Sequence, residues 1–276
     1  MGKLRVIKTS PLAMIQDLGR FGFRKYGIPQ SGAMDVSAMK SANSGVGNPH
    51  DSPVIEFALM GMKLQALEET NIAVVGAQVK VNGQLLSQNS ILLSIGDELE
   101  ILPPFNMYTY FAIGGKLKAN NDFKSYSTYL MAGFGGYEGR SLKVSDILET
   151  VEDGSLHQLE IAPYKNEDLT SIRFIEAPES HSLLESLEGK YFKIDPSSNR
   201  MGVRLIGNIK SDLDEIISSA VIPGTIQLPP SGQPIVLMND CQTTGGYPRI
   251  GKVIDDDLGK LAQIRPGKSI QFKRSF

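Results

Sequence analysis

The sequence predicts a mainly β protein with a few short helices, arranged as two lobes in one chain. Three observations carry that expectation. Short runs that alternate apolar and polar residues follow one another closely, each bounded by Gly, Pro, Asn or Asp, which is the pattern of an antiparallel sandwich or barrel. The chain of 276 residues holds 28 glycines and 15 prolines, above ordinary usage, which implies many turns. SIGDELEIL (94–102), KVSDILETV (143–151) and RPGKSIQFK (265–273) each set a Gly or Asp turn before an alternating strand. That echo suits two similar barrels joined in one chain.

Taken in order, VIEFAL (54–59), MKLQAL (62–67), NIAVVG (71–76), QVKVNG (78–83), ILLSI (91–95), ELEIL (98–102) and TYFAIGG (109–115) read as strands. Asn82-Gly83 predicts a type I′ hairpin turn, because both residues tolerate positive φ. Residues 35–44 read as a helix with Asp35 as N-cap, Val36, Met39 and Ala42 on its apolar face and Gly45 as its stop. A second helix is expected over 179–188, with Leu183, Leu184 and Leu187 on one face and Gly189 ending it. A third is expected over 255–263, where three acids in the first turn favour initiation. The polar stretch PYKNEDLTS (163–171) lacks apolar periodicity and marks the break between lobes of roughly 1–165 and 170–276.

Composition excludes several function classes. A net charge of −2 with scattered Lys and Arg gives no basic face for DNA or RNA. The single cysteine, Cys241, rules out an intrachain disulfide and fits a reducing compartment. The opening MGKLRVIKTSPLAMIQDLG lacks the apolar run of a signal peptide, and no 18-residue apolar stretch occurs, so a cytoplasmic protein without a membrane partner is expected. His50, His157 and His181 lie far apart with no H-x-x-x-H or C-x-x-C pairing, so no metal site is expected. GYPRIGK (246–252) matches a phosphate loop by letters, but Val253 stands where Ser or Thr would hold Mg²⁺, and Pro248 removes an amide. No G-x-G-x-x-G is present. Cys241 lies beside Asp240, which disfavours a thiolate, and reads as a small half-buried residue.

Four polar, glycine-rich segments carry the chemistry-bearing residues. MIQDLGRFGFRKYGIPQSGAMD (14–35) offers Gln16, Asp17 and Arg20 among glycines at 19, 22, 27 and 32. Arg20 or Arg24 could pair a substrate carboxylate, or form an ordinary surface ion pair. KSYSTYLMAGFGGYEGRSLKVSDIL (124–148) brings Phe134 and Tyr137 as aromatic walls around flexible backbone. SSNRMGVRLIG (197–207) places Arg200 before a strand. IVLMND (235–240) reads as a buried strand ending in polar residues, followed by CQTTGGYPRIG. There, Asp240 and Gln242 could hold an amide N–H and C=O together, Thr243 and Thr244 offer hydroxyls, and Tyr247 walls the pocket. Gly245 and Gly246 permit unusual φ and an amide nest for a developing oxyanion. A hairpin satisfied by its own side chains is the alternative. Four such segments make sense if they converge on one cleft.

Together, MIQDLGRFGFRKYGIPQSGAMD, STYLMAGFGGYEGR (127–140), SNRMGVRLIG and PIVLMNDCQTTGGYPRIG resemble the signatures of the biotin-dependent carboxyltransferase family. They are similar in particular to its subdomain A and B members, the group of KipA, the C subunit of 5-oxoprolinase and allophanate hydrolase subunit 2. The resemblance runs in order from about residue 4 to 273. It implies cyclophilin-like β-barrels in two lobes, with 1–276 as one subdomain A/B module. It implies two partners, a KipI-type subunit and a lactam-hydrolase subunit. The three together open 5-oxoproline to L-glutamate at the expense of ATP. It also leaves open a carboxyltransferase component acting on a urea-like or amide acceptor, with biotin arriving on a separate carrier protein, and a regulator that antagonises an inhibitor of a sporulation sensor histidine kinase. On the matched motifs, the amide reading gives Asp240 the substrate N–H. It gives the oxygen to the Gly245 and Gly246 amides with Thr243 or Thr244, and a ring carboxylate to Arg20 or Arg200. ATP belongs to the complex, since this chain lacks a credible phosphate loop.

Overall fold

The computed structural model describes residues 2–151, 170–177, 179, 183–211 and 213–275. The chain forms two compact units: Met1–Arg20 with Ser31–Lys165, and Phe21–Gln30 with Asn166–Phe276. The break expected at 163–171 lies largely outside the described residues, as do His157 and His181. The assignment of Phe21–Gln30 to the second unit is a feature that chain order does not announce.

The first unit contains two sheets. One has six strands in the order Ile147–Glu149, Lys3–Lys8, Met62–Ala66, Glu98–Ile101, Val79–Val81 and Gln84–Leu86. The other has five, in the order Met14–Gln16, Val54–Ala58, Tyr108–Ile113, Thr70–Val75 and Ser90–Leu93. Every pairing in both is antiparallel. Leu4, Val6, Ile55, Phe57, Leu64, Ile72, Val74, Leu99 and Phe111 meet in one core, each contributing roughly 1.5–3 kcal/mol of burial. All seven expected strands are present within a residue or two at their ends. The hairpin at Asn82 (φ 50°) and Gly83 (φ 82°) has the two left-handed residues that its letters predict.

Burial separates the two sheets. Met62–Ala66 alternates buried and half-buried residues, whereas Val54–Ala58, Thr70–Val75 and Tyr108–Ile113 are buried on both faces. The helix Val36–Gly45 is the cause, since it packs on those three strands through Ala38, Met39 and Ala42. Its N-cap is Asp35, whose Oδ1 accepts from the Ala38 amide at 3.1 Å. The stop differs slightly from expectation: Gly45 is the last helical residue, and Gly47 (φ 70°) takes the left-handed turn. Two-sided burial leaves Glu56 and Tyr110, opposite one another across the sheet, fully enclosed. They are used as anchors. The Met34 amide donates to Glu56 Oε2 at 2.7 Å and the Asp35 amide to the Tyr110 hydroxyl at 2.7 Å. Burial, reinforced by Glu56, pushes the Tyr110 phenol well above its ordinary pKa, so it stays protonated.

The second unit closes into a seven-stranded barrel in the order Ser171–Ile175, Arg249–Val253, Thr225–Gln227, Ile235–Leu237, Gly202–Ile206, Tyr191–Ile194 and Ser269–Arg274. Closure is made by a parallel pairing of Ser171–Ile175 with Ser269–Arg274, whereas the other strand pairs of the barrel are antiparallel. Phe272 packs edge-on against Phe174 and Phe192, with ring centroids 5.8 Å apart in both cases. The helix expected over 179–188 is described only as Leu184–Leu187, with Leu183 and Leu187 buried and Gly189 (φ 72°) ending it. Asp255–Ala262 is the third helix. Its Asp257 carboxylate does more than favour initiation: it accepts from the Arg173 amide at 2.7 Å and from Arg173 Nε and Nη2 at 3.0 and 2.8 Å, tying the helix to the barrel. Among the described residues, no helix is long and apolar enough to cross a membrane.

Candidate functional site

The glycine-rich segments gather in two clusters, one in each unit. In the first unit, strand Met14–Gln16 runs directly into Asp17, and the 125–128 segment lies alongside it. The Thr128 amide and hydroxyl both donate to the Ile15 carbonyl, at 2.9 and 3.0 Å, and Gln16 Nε2 donates to the Thr128 carbonyl at 3.1 Å. Asp17 is the hub. Its carboxylate accepts from the Gly19 amide (2.8 Å), the Ser125 hydroxyl (2.7 Å), the Ser127 hydroxyl (2.5 Å) and the Tyr126 amide (2.6 Å). Four donors nearly saturate a carboxylate, so Asp17 organises the loop instead of facing a ligand. Gln16 is fully enclosed, and its Oε1 is a buried acceptor with no hydrogen-bond partner.

The sequence offers Arg20 for a substrate carboxylate, but the structure encloses it completely, at 0% exposure. Its Nε donates to the Asp122 carbonyl at 3.3 Å and its Nη2 to the Ser127 carbonyl, while Cζ stacks 4.6 Å from the Phe134 ring centroid. Phe134 also meets Phe123 and Tyr129 at 5.3 and 5.4 Å, so its aromatic face is occupied from within the protein. Gly135 explains why this loop needs glycine. At φ 74° its backbone is left-handed, and a Cβ there would overlap the Ser127 carbonyl and the Arg20 guanidinium. Tyr137 likewise is a strut and not a pocket wall. It packs against the core, accepts from the Ile147 amide at 3.4 Å and carries Arg140 over its ring at 4.7 Å. Arg140 in turn makes a two-pronged pair with Asp146 at 2.7 and 3.0 Å.

In the second unit, strand Ile235–Leu237 delivers Asn239 and Asp240 to the end of the barrel. Arg200 and Asp240, which the sequence assigns separately to a carboxylate and an amide, grip each other. Nε reaches Oδ2 at 2.8 Å and Nη2 reaches Oδ1 at 3.2 Å, with both side chains only 11% exposed. The Asp240 amide also donates to the Arg200 carbonyl at 2.9 Å. Arg200 thus fixes the plane of the carboxylate, and a carboxylate with about four lone-pair sites retains acceptor capacity. Beside them, Gln242 Nε2 donates to the Oε1 of buried Gln227 at 3.4 Å, and Gln227 Nε2 reaches the Tyr247 carbonyl at 3.5 Å.

Gly245 and Gly246 serve this loop differently from expectation. Neither has positive φ. Thr244–Gly245 forms a short strand against Ser219–Ala220, and the Val221 amide donates to the Thr243 carbonyl at 3.1 Å. The backbone here therefore enters a ladder instead of curling into a nest. Glycine is needed for close approach: a Cβ on Gly245 would stand 2.5 Å from Gln227 Nε2, and one on Gly246 would stand 3.2 Å from the Ile216 carbonyl. Thr244 and Tyr247 are exposed and Thr243 is half-buried. The stretch that spells a phosphate loop becomes barrel strand Arg249–Val253, with Gly251 against the Phe174 ring, so it offers no cradle for phosphates. Cys241 is enclosed with Val221 and Leu237, and burial raises its thiol above the ordinary pKa despite nearby Arg24. Among the described residues, no group of three or more His, Cys, Asp or Glu side chains could hold a metal ion.

The sequence gives no sign of one anchor and only half the role of another. Glu56 holds the Ser31–Asp35 end of the first motif from inside the VIEFAL strand, where it is the one charged residue. Arg24 stands among the candidate cations, but its partners lie 197 and 218 positions away. The dense Gly-Pro punctuation around it is the one local signal that its loop is specialised.

Comparison with known proteins gives this geometry a context. The family described as carboxyltransferase domain, subdomain A and B, matches residues 26–274. The chain is 37% identical to the C subunit of 5-oxoprolinase from Haemophilus influenzae, over 97% of this chain and 90% of that one. It is 35% identical to the corresponding 5-oxoprolinase subunit of Escherichia coli, over 98% and 90%. Urea amidolyase of Lachancea kluyveri is 30% identical over 96% of this chain, which spans 16% of that protein. Among solved structures, TTHA0988 superposes with a TM-score of 0.91 at 28% identity, over 99% of this chain and 56% of that one. The Kluyveromyces lactis urea amidolyase superposes with a TM-score of 0.84 at 27% identity, over 98% and 18%. This chain thus spans about half of TTHA0988 and under a fifth of the urea amidolyases.

Proposed function

Since the chain belongs to the carboxyltransferase family of subdomain A and B type, we propose that it is the KipA-type subunit of an ATP-dependent 5-oxoprolinase. It would help open the lactam of 5-oxoproline to L-glutamate together with a KipI-type partner and a lactam-hydrolase partner. The observation that carries this reading is identity to two 5-oxoprolinase subunits, at 37% and 35% over nearly all of both chains, against 30% and 28% to urea amidolyases that are several times longer.

The Arg200–Asp240 pair supports an amide substrate. A lactam presents N–H beside C=O. An ionised carboxylate held in one plane accepts that N–H, and its orientation is set before the substrate arrives. Arg200 supplies the opposite charge beside Asp240 in this nearly enclosed position. Gln242 and the Thr243 hydroxyl stand next in the chain to receive the lactam oxygen as charge develops on it. The residues of 246–252 do not fit nucleotide phosphates, so ATP enters this account only as a reactant of the complex.

A carboxyltransferase component acting on a urea-like acceptor is the competing reading, favoured by the urea amidolyase relatives; biotin would then arrive on another protein. The deciding assay measures 5-oxoproline-dependent ATP hydrolysis and glutamate release with this protein alone, with its KipI-type partner, and with both partners. Turnover that requires this chain supports the proposal. Turnover that is undiminished when the chain is omitted removes it.

A further inference from the structure

Among the arginines of the glycine-rich motifs, Arg20 is enclosed among main-chain carbonyls and Arg200 is matched by Asp240. Arg24 differs. It opens a single helical turn, Arg24–Tyr26, bracketed by Gly22 (φ 87°) and Gly27 (φ 78°). Its Nη2 donates to the Val221 carbonyl and, at 2.9 Å, to the Gln242 carbonyl, and lies 3.9 Å from Cys241 Sγ. These partners are neutral, the thiol included, because burial keeps it protonated. Its Nη1 is buried with no hydrogen-bond partner. A cationic donor shut away from water without an acceptor is unfavourable, and an anion brought by a ligand relieves it.

From this arrangement we infer that Arg24 binds the carboxylate of the lactam substrate, in place of Arg20 or Arg200. The inference rests on the 5-oxoprolinase reading. The geometry suits it, because Arg24 is fastened to Gln242, two positions beyond Asp240. The 240–242 stretch thereby carries the acceptor for the ring N–H and holds the cation for the ring carboxylate through the Gln242 carbonyl. Nothing stands within 4 Å of a Cβ position at Gly22 or Gly27, so the 23–26 turn can shift at these two residues and uncover Nη1. A guanidinium already held by two carbonyls meets the carboxylate with little further ordering.

The test uses the reconstituted complex with Arg24→Gln and Arg24→Lys, reading KM for 5-oxoproline and the inhibition constant of 2-pyrrolidinone, the same ring without the carboxylate. The expected result is a rise in KM of about tenfold or more for Arg24→Gln, a smaller rise for Arg24→Lys, and an inhibition constant for 2-pyrrolidinone unchanged within about twofold. A parallel rise in both constants would assign Arg24 a purely structural role and overturn the inference, as would no change in either. In those two cases the 5-oxoprolinase reading still stands on wild-type turnover. A wild-type complex that never turns over 5-oxoproline removes that reading and this inference with it.

Discussion

The Arg200–Asp240 pair yields the most quantitative prediction. Asp240→Asn keeps the shape of the side chain but removes its charge and turns one acceptor into a donor facing a guanidinium. Two charge-assisted contacts at 2.8 and 3.2 Å, on side chains 11% exposed, are altered at once. Hydrogen bonds to charged groups contribute about 1.5–3 kcal/mol, and removing one partner of an enclosed pair leaves the other uncompensated. A loss of about 2–3 kcal/mol in the barrel unit follows, or a fall in its melting temperature of about 8–12 °C. Arg200→Gln should cost a similar amount, because it strands the carboxylate. The double variant should cost well below the sum, with a coupling energy of about 2 kcal/mol. Urea unfolding of the four proteins, followed by far-UV circular dichroism, measures the cycle. A coupling below about 0.5 kcal/mol would match an ordinary exposed pair and would refute the claim that the two side chains act as one unit. Asp240→Asn should also reduce turnover of the complex at least about a hundredfold while the fold persists; full activity would remove Asp240 from the reaction.

Asp17→Asn should destabilise the first unit by about 3 kcal/mol, since an amide cannot accept from four donors, and hydrogen exchange at Tyr126 and Ser127 should accelerate; unchanged exchange there would contradict the hub assignment. Gly135→Ala should cost about 2–4 kcal/mol through left-handed strain and overlap with the Ser127 carbonyl, read as a lower unfolding midpoint, whereas Gly83→Ala meets no neighbour and should cost about 1 kcal/mol. A pH prediction comes from Asp257. Burial alone would raise its pKa, but the Arg173 side chain and amide outweigh burial and hold the carboxyl below its ordinary range. A depressed folded pKa gives stability that is complete above the unfolded value of about 3.9 and declines as pH falls through the folded value. Barrel stability should therefore be flat in this contribution from pH 7 to about 4 and fall below it, and Asp257→Asn should flatten the acid limb; an unaltered limb would contradict the assignment.

Local grammar made much of the fold legible. Asn82-Gly83, the Asp35 cap and the alternation in 62–67 each depend on neighbours a few residues away, and each appears as read. The parallel closure of Ser171–Ile175 on Ser269–Arg274 was not readable, because nothing in either strand marks its partner about a hundred positions on. Side-chain roles fared unevenly for the same reason. The motifs did contain the polar residues that matter, but which of them face inward depends on partners far off in sequence. Asp17 meets Ser127 110 positions away, and Arg24 meets Gln242 218 positions away. Thus Arg20, Phe134 and Tyr137 read as ligand-facing and turn out to brace their loops. Gly245 and Gly246 illustrate a further ambiguity: a glycine pair signals either left-handed backbone or close packing, and only the surrounding Gln227 and Ile216 decide for the second.

On the proposed reading, this chain handles a lactam amide as one member of a larger enzyme. The decisive measurement supplies the reconstituted three-component complex with ATP and isotopically labelled 5-oxoproline. Labelled glutamate is then followed with the wild-type chain, with Asp240→Asn and with the chain omitted. Glutamate formed only with the wild-type chain is the predicted result. Equal glutamate release in all three reactions, or none from 5-oxoproline alongside biotin-dependent carboxylation of urea, would contradict it.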